Sequence, residues 1–353
     1  MRRGLISWSK AELPQSVLDA RVARVRAAMA QANIDALALY SDPSRSGGAS
    51  WLTGFVPYWN RGVVVLPRGG KPVLLTGISN RVHGWIKRNA NIDTIAYSTR
   101  IGEDAAKLIA QASPHATVAV PDMEGLPGGI LDGLSANGAT VIDGTALFAK
   151  LRTAPDPAEL ALAFKAAFIA QAALSKASAA ETDAATLGGV IEGEARRRGA
   201  EEVYVAMATD LAISRALVRL EGTAALGAIF AIRVSVAYKG VWVRMATTLA
   251  RDAETAATVA DAAERFAAAV AALPRTDALE GAAWLIEGCR TTRPLEPLAG
   301  TMIEEPAEIV PGSYVSVQAT LETPRGPVVL GAPALIGRSG EPSALMAAPP
   351  AAG

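Results

Sequence analysis

The segment LRTAPDPAEL, residues 151–160, divides the chain into two parts with different hydrophobic patterns. It combines two prolines with a helix start, in which Asp156 is the N-cap, Pro157 opens the first turn and Glu159 follows closely. From Ser16 to about Leu151, amphipathic stretches such as SVLDARVARVRAAMAQANI alternate with short apolar runs: DALALY, GVVVLP, KPVLLTG, DTIAY and ATVAVP. That is the pattern of an α/β domain. Beyond the boundary, helical stretches over 157–181 and 183–198 precede a strand at 202–208 and a hairpin within 231–249. The helical run ETAATVADAAERFAAAVAAL and the amphipathic DALEGAAWLIEGC, expected as a helix ending at Cys289, lead to a second hairpin, SYVSVQATLETPRGPVVLGAPALIG. The expected domains are therefore 1–152, α/β, and 153–345, α+β, with a Pro/Ala tail at 346–353 that is expected to fray.

Composition narrows the setting. A chain of 353 residues, half of them apolar, is long enough for two globular domains with full cores. Lys and Arg number 34 and so do Asp and Glu, with no basic run, so neither nucleic acid nor an anionic membrane is indicated as a partner. Cys289 is the single cysteine, which excludes an intramolecular disulfide and a cysteine-based zinc cluster. The opening MRRGLISWSKAELPQ lacks the apolar run of a signal peptide, and no later stretch reads as a membrane span, so the expected location is cytoplasmic.

The first hairpin, AIRVSVAYKGVWVRMATTL, carries two arginines. With Tyr238 and Lys239 as a two-residue loop, Arg233 would face Arg244 across the strands. Like charges directly opposed destabilise a strand pair, so an anion is expected between them. Arg233, Ser235, Trp242, Arg244, Ala246 and Thr248 would share one face. A guanidinium pair with an indole nearby suits a carboxylate or a phosphate. The competing reading is an internal ion network in which Glu296 or Glu305 reaches the arginines.

The order of elements resembles creatinase, prolidase and aminopeptidase P, the two-domain pita-bread proteins. The resemblance rests on RVARVRAAMAQANIDALALYS, SWLTGF, RGVVVLPRGGKPVLLTG, LRTAPDPAEL, GAIFAIRVSVAYKGVWVRMATTL, EEPAEIVPGSYVSVQATLE and LIGRSGEPSAL, in order and across nearly the whole chain. It implies an α/β N-terminal domain, a pita-bread C-terminal domain, and in the metallopeptidases two divalent metals held by two aspartates, a histidine and two glutamates. Carried over, the aspartate positions fall on Arg233 and Arg244, the histidine near Glu296, and the glutamates on Gln318 and Gly331, which face each other if Pro324 and Arg325 form the loop. The proton-shuttling histidine falls near Ala216. No metal or other cofactor is therefore expected. The resemblance also places VPYWNRG, with Tyr58, Trp59 and Arg61, in a loop that reaches over a neighbouring subunit's pocket, and so implies a homodimer or a heterodimer with a related chain.

Only two histidines exist, His83 and His115, both before the boundary, so the C-terminal domain lacks imidazole. Ser214 and Ser235 have no histidine in their domain to activate them. Cys289 beside Arg290 and Arg293 reads first as a packing residue, and Glu304, Glu305 and Glu308 as a solvated charge cluster. Two functions remain: a metal-free, peptidase-inactive protein that binds a small anion or partners an active relative, and a metal-independent hydrolase of a small amide, guanidino or carboxylate compound using Glu296, Glu305 or Asp210 as acid or base.

Overall fold

The computed structural model describes residues 8–43, 45–57, 59–220, 222–275, 282–288 and 309–347. The chain splits into two compact units, one spanning Ile6–Ala158 and the other beginning at Glu159.

In the first unit, helices and strands alternate: α1 (Gln15–Gln31), β1 (Ala36–Ser41), α2 (Gly47–Thr53), β2 (Gly62–Pro67), β3 (Val73–Thr76), α3 (Asn80–Asn89), β4 (Thr94–Tyr97), α4 (Ile101–Ala112), β5 (Thr117–Val120), α5 (Gly128–Ser135), β6 (Thr140–Asp143) and α6 (Thr145–Leu151). The sheet order is β4-β3-β2-β1-β5-β6, with β2 antiparallel to both its neighbours and the other pairings parallel. The five short apolar runs form β1 to β5. Residues of β1 and β2 are buried on both faces because helices cover both sides, which is why their sequence is continuously apolar rather than alternating. SWLTGF ends α2: Gly54 takes the left-handed conformation at φ +71° and donates its N–H to Ser50 at 2.7 Å.

The second unit contains α7 (Pro157–Leu174), α8 (Ala184–Arg197), β7 (Glu202–Ala208), β8 (Ile229–Tyr238), β9 (Val241–Ala250), α9 (Ala253–Ala272), β10 (Ala282–Gly288), β11 (Tyr314–Leu321), β12 (Val328–Leu335) and the short β13 (Ala344–Leu345). Its antiparallel sheet runs β10-β11-β12-β9-β8-β7, with β13 on β12. One face is apolar. Phe230, Ile232, Val234, Val243 and Met245 meet α7 and α8, and Val315, Val317, Ala319, Leu330 and Ala332 meet α9. Asp183 and Asp252 start α8 and α9, their carboxylates accepting the N–H groups of Thr186 and Thr255 at 2.8 Å. Helix α7 is long and apolar enough to cross a membrane by length and composition, contrary to the reading of the sequence, but half of it is buried against the rest of its unit.

The loop of the first hairpin is Lys239–Gly240, not Tyr238–Lys239, because the turn needs positive φ at both positions and these residues supply 52° and 80°. Arg233 therefore faces Ala246, and Arg244 faces Ser235; the arginines are diagonal neighbours on one face, not an opposed pair. In the second hairpin Gln318 does face Gly331, around a turn closed by Gly326 N–H to the Thr323 carbonyl. AAWLIEG is a strand rather than a helix. Ala282, Trp284 and Ile286 alternate onto the α9 side, and Trp284 stacks on Phe266 with centroids 5.7 Å apart. Cys289 lies outside the described residues. Helix α7 stops at Leu174 rather than 181. The tail does not fray from 346: Met346 is buried and donates its N–H to Pro333.

Candidate functional site

The face of the second sheet opposite α7, α8 and α9 is built from rows set by strand register. One row runs Ala206, Arg233, Ala246, Gly331, Gln318 from β7 to β11. Two strands, β9 and β12, separate Arg233 from Gln318, a backbone span of about 14 Å at the usual strand spacing. Their side chains nevertheless meet, with Arg233 Nη1 donating to Gln318 Oε1 at 3.4 Å. The span is possible because the residues between are small. At Gly331 an added Cβ would lie 3.2 Å from the Ala246 Cβ and from the Val317 carbonyl oxygen, so a side chain there would press on both neighbours.

The adjacent row holds Tyr204, Ser235 and Arg244. Arg244 Nε donates to Ser235 Oγ at 3.3 Å, and its backbone N–H donates to Ser316 Oγ at 3.2 Å. Arg233 is 7% exposed and Arg244 2%. Two buried guanidiniums thus share one floor. Ser235 and Gln318 each accept one bond from an arginine and keep an O–H and an NH2 group as donors.

Trp242, expected to flank a ligand, has a packing role instead. It stacks on Tyr204 at 5.5 Å and 9°, within a cluster that includes Ala163, Ala167, Tyr314 and Met346, while the Arg219 guanidinium sits over the other ring, 5.8 Å from its centroid. Asp210 lies past the end of β7, where its carboxylate accepts the Ala212 N–H at 2.9 Å and holds its own turn. Ser214 is exposed in that turn and accepts from the Ala216 N–H. Arg215, next to the expected position of the proton shuttle, pairs with Glu322. Glu296, Glu304, Glu305 and Glu308 lie outside the described residues.

In the first unit, Trp59 is 43% exposed and Arg61 is exposed just before β2; Tyr58 lies outside the described residues. His83 is on α3 with Nε2 3.0 Å from the Ile78 carbonyl oxygen, and His115 occupies a turn at φ 60°. Among the described residues there is no group of three or more His, Cys, Asp or Glu side chains that could hold a metal. The donor set on the second sheet, two guanidiniums with serine and glutamine, does not fit a divalent cation.

The reading of the sequence missed one arrangement. Trp51 of α2 is surrounded by the guanidiniums of Arg21, Arg24 and Arg152, at 5.2, 5.2 and 5.6 Å from its ring centroid. The Asp156 carboxylate, expected to cap a helix, accepts from Arg21 Nε and Nη2 at 2.7 and 3.0 Å. The spacing of Arg21 and Arg24 on one helix face was visible in the sequence; their convergence on Trp51 was not.

Residues 21–154 match the model of the Creatinase/Prolidase N-terminal domain. No curated protein matches at a significant level. Among solved structures, the X-Pro aminopeptidase from Thermotoga maritima superposes with a TM-score of 0.72 at 14% identity, covering 94% of this chain and 98% of that one. The dipeptidase PepE from Mycobacterium ulcerans gives 0.69 at 16%, covering 96% and 97%. The Xaa-Pro dipeptidase from Bacillus anthracis gives 0.68 at 17%, covering 94% and 98%. Residues 21–154 thus match a creatinase/prolidase N-terminal domain, and the chain shares the two-domain pita-bread fold of these aminopeptidase and dipeptidase structures.

Proposed function

We propose that this protein is a metal-free, peptidase-inactive member of the pita-bread group that binds a small anion, a carboxylate or a phosphate, at the arginine-bearing face of its second sheet. One observation carries the reading: two guanidiniums more than nine-tenths buried lie side by side on the floor where the resemblance places metal-binding carboxylates. A forked guanidinium donor matches the paired oxygens of a carboxylate or phosphate. The same resemblance supports assembly as a dimer, with itself or with an active relative, through the loop that carries Trp59 and Arg61, and a cytoplasmic location. Metal-independent hydrolysis with Glu296, Glu305 or Asp210 as acid or base is the alternative reading.

Thermal melts of the wild type and Arg233→Met, each with and without malonate or inorganic phosphate, test the reading. Anion-dependent stabilisation is expected in the wild type and should be lost in the variant, whose melting without anion stays near wild type because a buried cation has been removed. If instead the wild type ignores every anion while Arg233→Met falls by about 3–5 kcal/mol, the arginine serves an internal ion pair and the proposal fails.

A further inference from the structure

Helix α1 presents Val17, Ala20, Arg21 and Arg24 to a cavity of about 370 Å³ that Ser16, Asp156 and Pro157 complete. The size is that of a small-molecule pocket. Two guanidiniums line it, but only one carboxylate does. Asp156 is committed to Arg21, which also donates from Nη1 to the Trp51 carbonyl oxygen at 2.6 Å. The Arg21 side chain is 4% exposed and paired.

Arg24 is in a different position. Its Nε is buried and has no hydrogen-bond partner among the described residues, and none of their carboxylates pairs with it. Its attraction to the Trp51 face does not replace the hydrogen bonds that water gave up, and the same indole already carries two other cations. With Arg21 neutralised by Asp156, the cavity retains the single positive charge of Arg24.

We propose that this cavity is a second anion site, separate from the C-terminal floor, in which Arg24 takes the carboxylate of a small organic acid. Ser16 supplies a further donor, and Val17, Ala20 and Pro157 receive the apolar body. A monocarboxylate matches the one uncompensated charge, whereas a phosphate dianion would face the Asp156 carboxylate.

Calorimetric titration of the full chain with butyrate tests the assignment. One saturable site per chain is expected, weakened at least about tenfold in Arg24→Gln and less in Arg24→Lys, which keeps the charge but loses the fork. Tryptophan fluorescence should change on binding, and Trp51→Phe should remove that change. Because no described carboxylate pairs with Arg24, Arg24→Gln should melt near wild type. Absence of saturable binding, or undiminished binding in Arg24→Gln, would overturn the proposal. So would a response that survives Arg24→Gln but disappears in Arg244→Met, since that places butyrate on the C-terminal floor. Tighter Arg24-dependent binding of inorganic phosphate than of butyrate would overturn the choice of a carboxylate.

Discussion

At the scale of single residues, Gly240 decides which side chains meet on the floor. A two-residue hairpin turn with positive φ at both positions needs a residue that tolerates the left-handed region, and Gly240 does so at 80° while Lys239 bears the strain at 52°. Placing the loop one residue earlier would pair the arginines directly; the observed turn sets each against a small neutral partner. Gly240→Ala is accordingly expected to lower stability by about 1–2 kcal/mol in denaturant unfolding, the cost of holding a side chain in the left-handed region. No measurable loss would mean that the turn is built differently. Gly331 works by the opposite means: it is small because β9 and β12 approach closely, and that smallness lets Arg233 lie across them to Gln318.

Among the elements, β10 is the most informative. Alanine, leucine and glutamate favour helix on their own, yet AAWLIEG pairs along β11 from Ala282↔Leu321 to Gly288↔Val315 and lays every second side chain against the α9 side. Tertiary packing of Trp284 on Phe266 outweighs a helical preference of a few tenths of a kcal/mol per residue. Trp284→Ala should therefore cost about 1–3 kcal/mol, less than a fully buried indole because Trp284 is half-buried, and should speed amide exchange in β10 and β11 but not in β8. Uniform acceleration across the sheet, or none in β10, would contradict this account.

For the whole molecule, the formal charge is zero, so the two arginines on one sheet face are a matter of local placement. The fold is shared with peptidases over more than nine-tenths of the chain, and fold does not carry chemistry with it. With Arg233, Arg244, Gln318 and Gly331 on the floor, dialysed protein should contain no stoichiometric manganese, zinc, cobalt or iron by elemental analysis. One metal per chain that survives dialysis in wild type would show that residues beyond this set hold it and would remove the basis for a metal-free reading.

Local pattern alone was enough for much of the architecture: five strands of the first sheet, the strand at 202–208, and the pairing of Gln318 with Gly331. These follow from hydrophobic period and turn chemistry, which act over a few residues. It also placed both arginines on one face, since alternation along a strand is independent of register. Tertiary structure decided the rest. Arg233 and Gln318 are 85 residues apart in the chain, and Arg21 and Asp156 are 135 apart. Their meetings depend on how many strands lie between and on which neighbours are small, and no local window contains that information. The strand identity of β10 and the stacking of Trp242 on Tyr204 were likewise settled by partners that only the folded chain supplies.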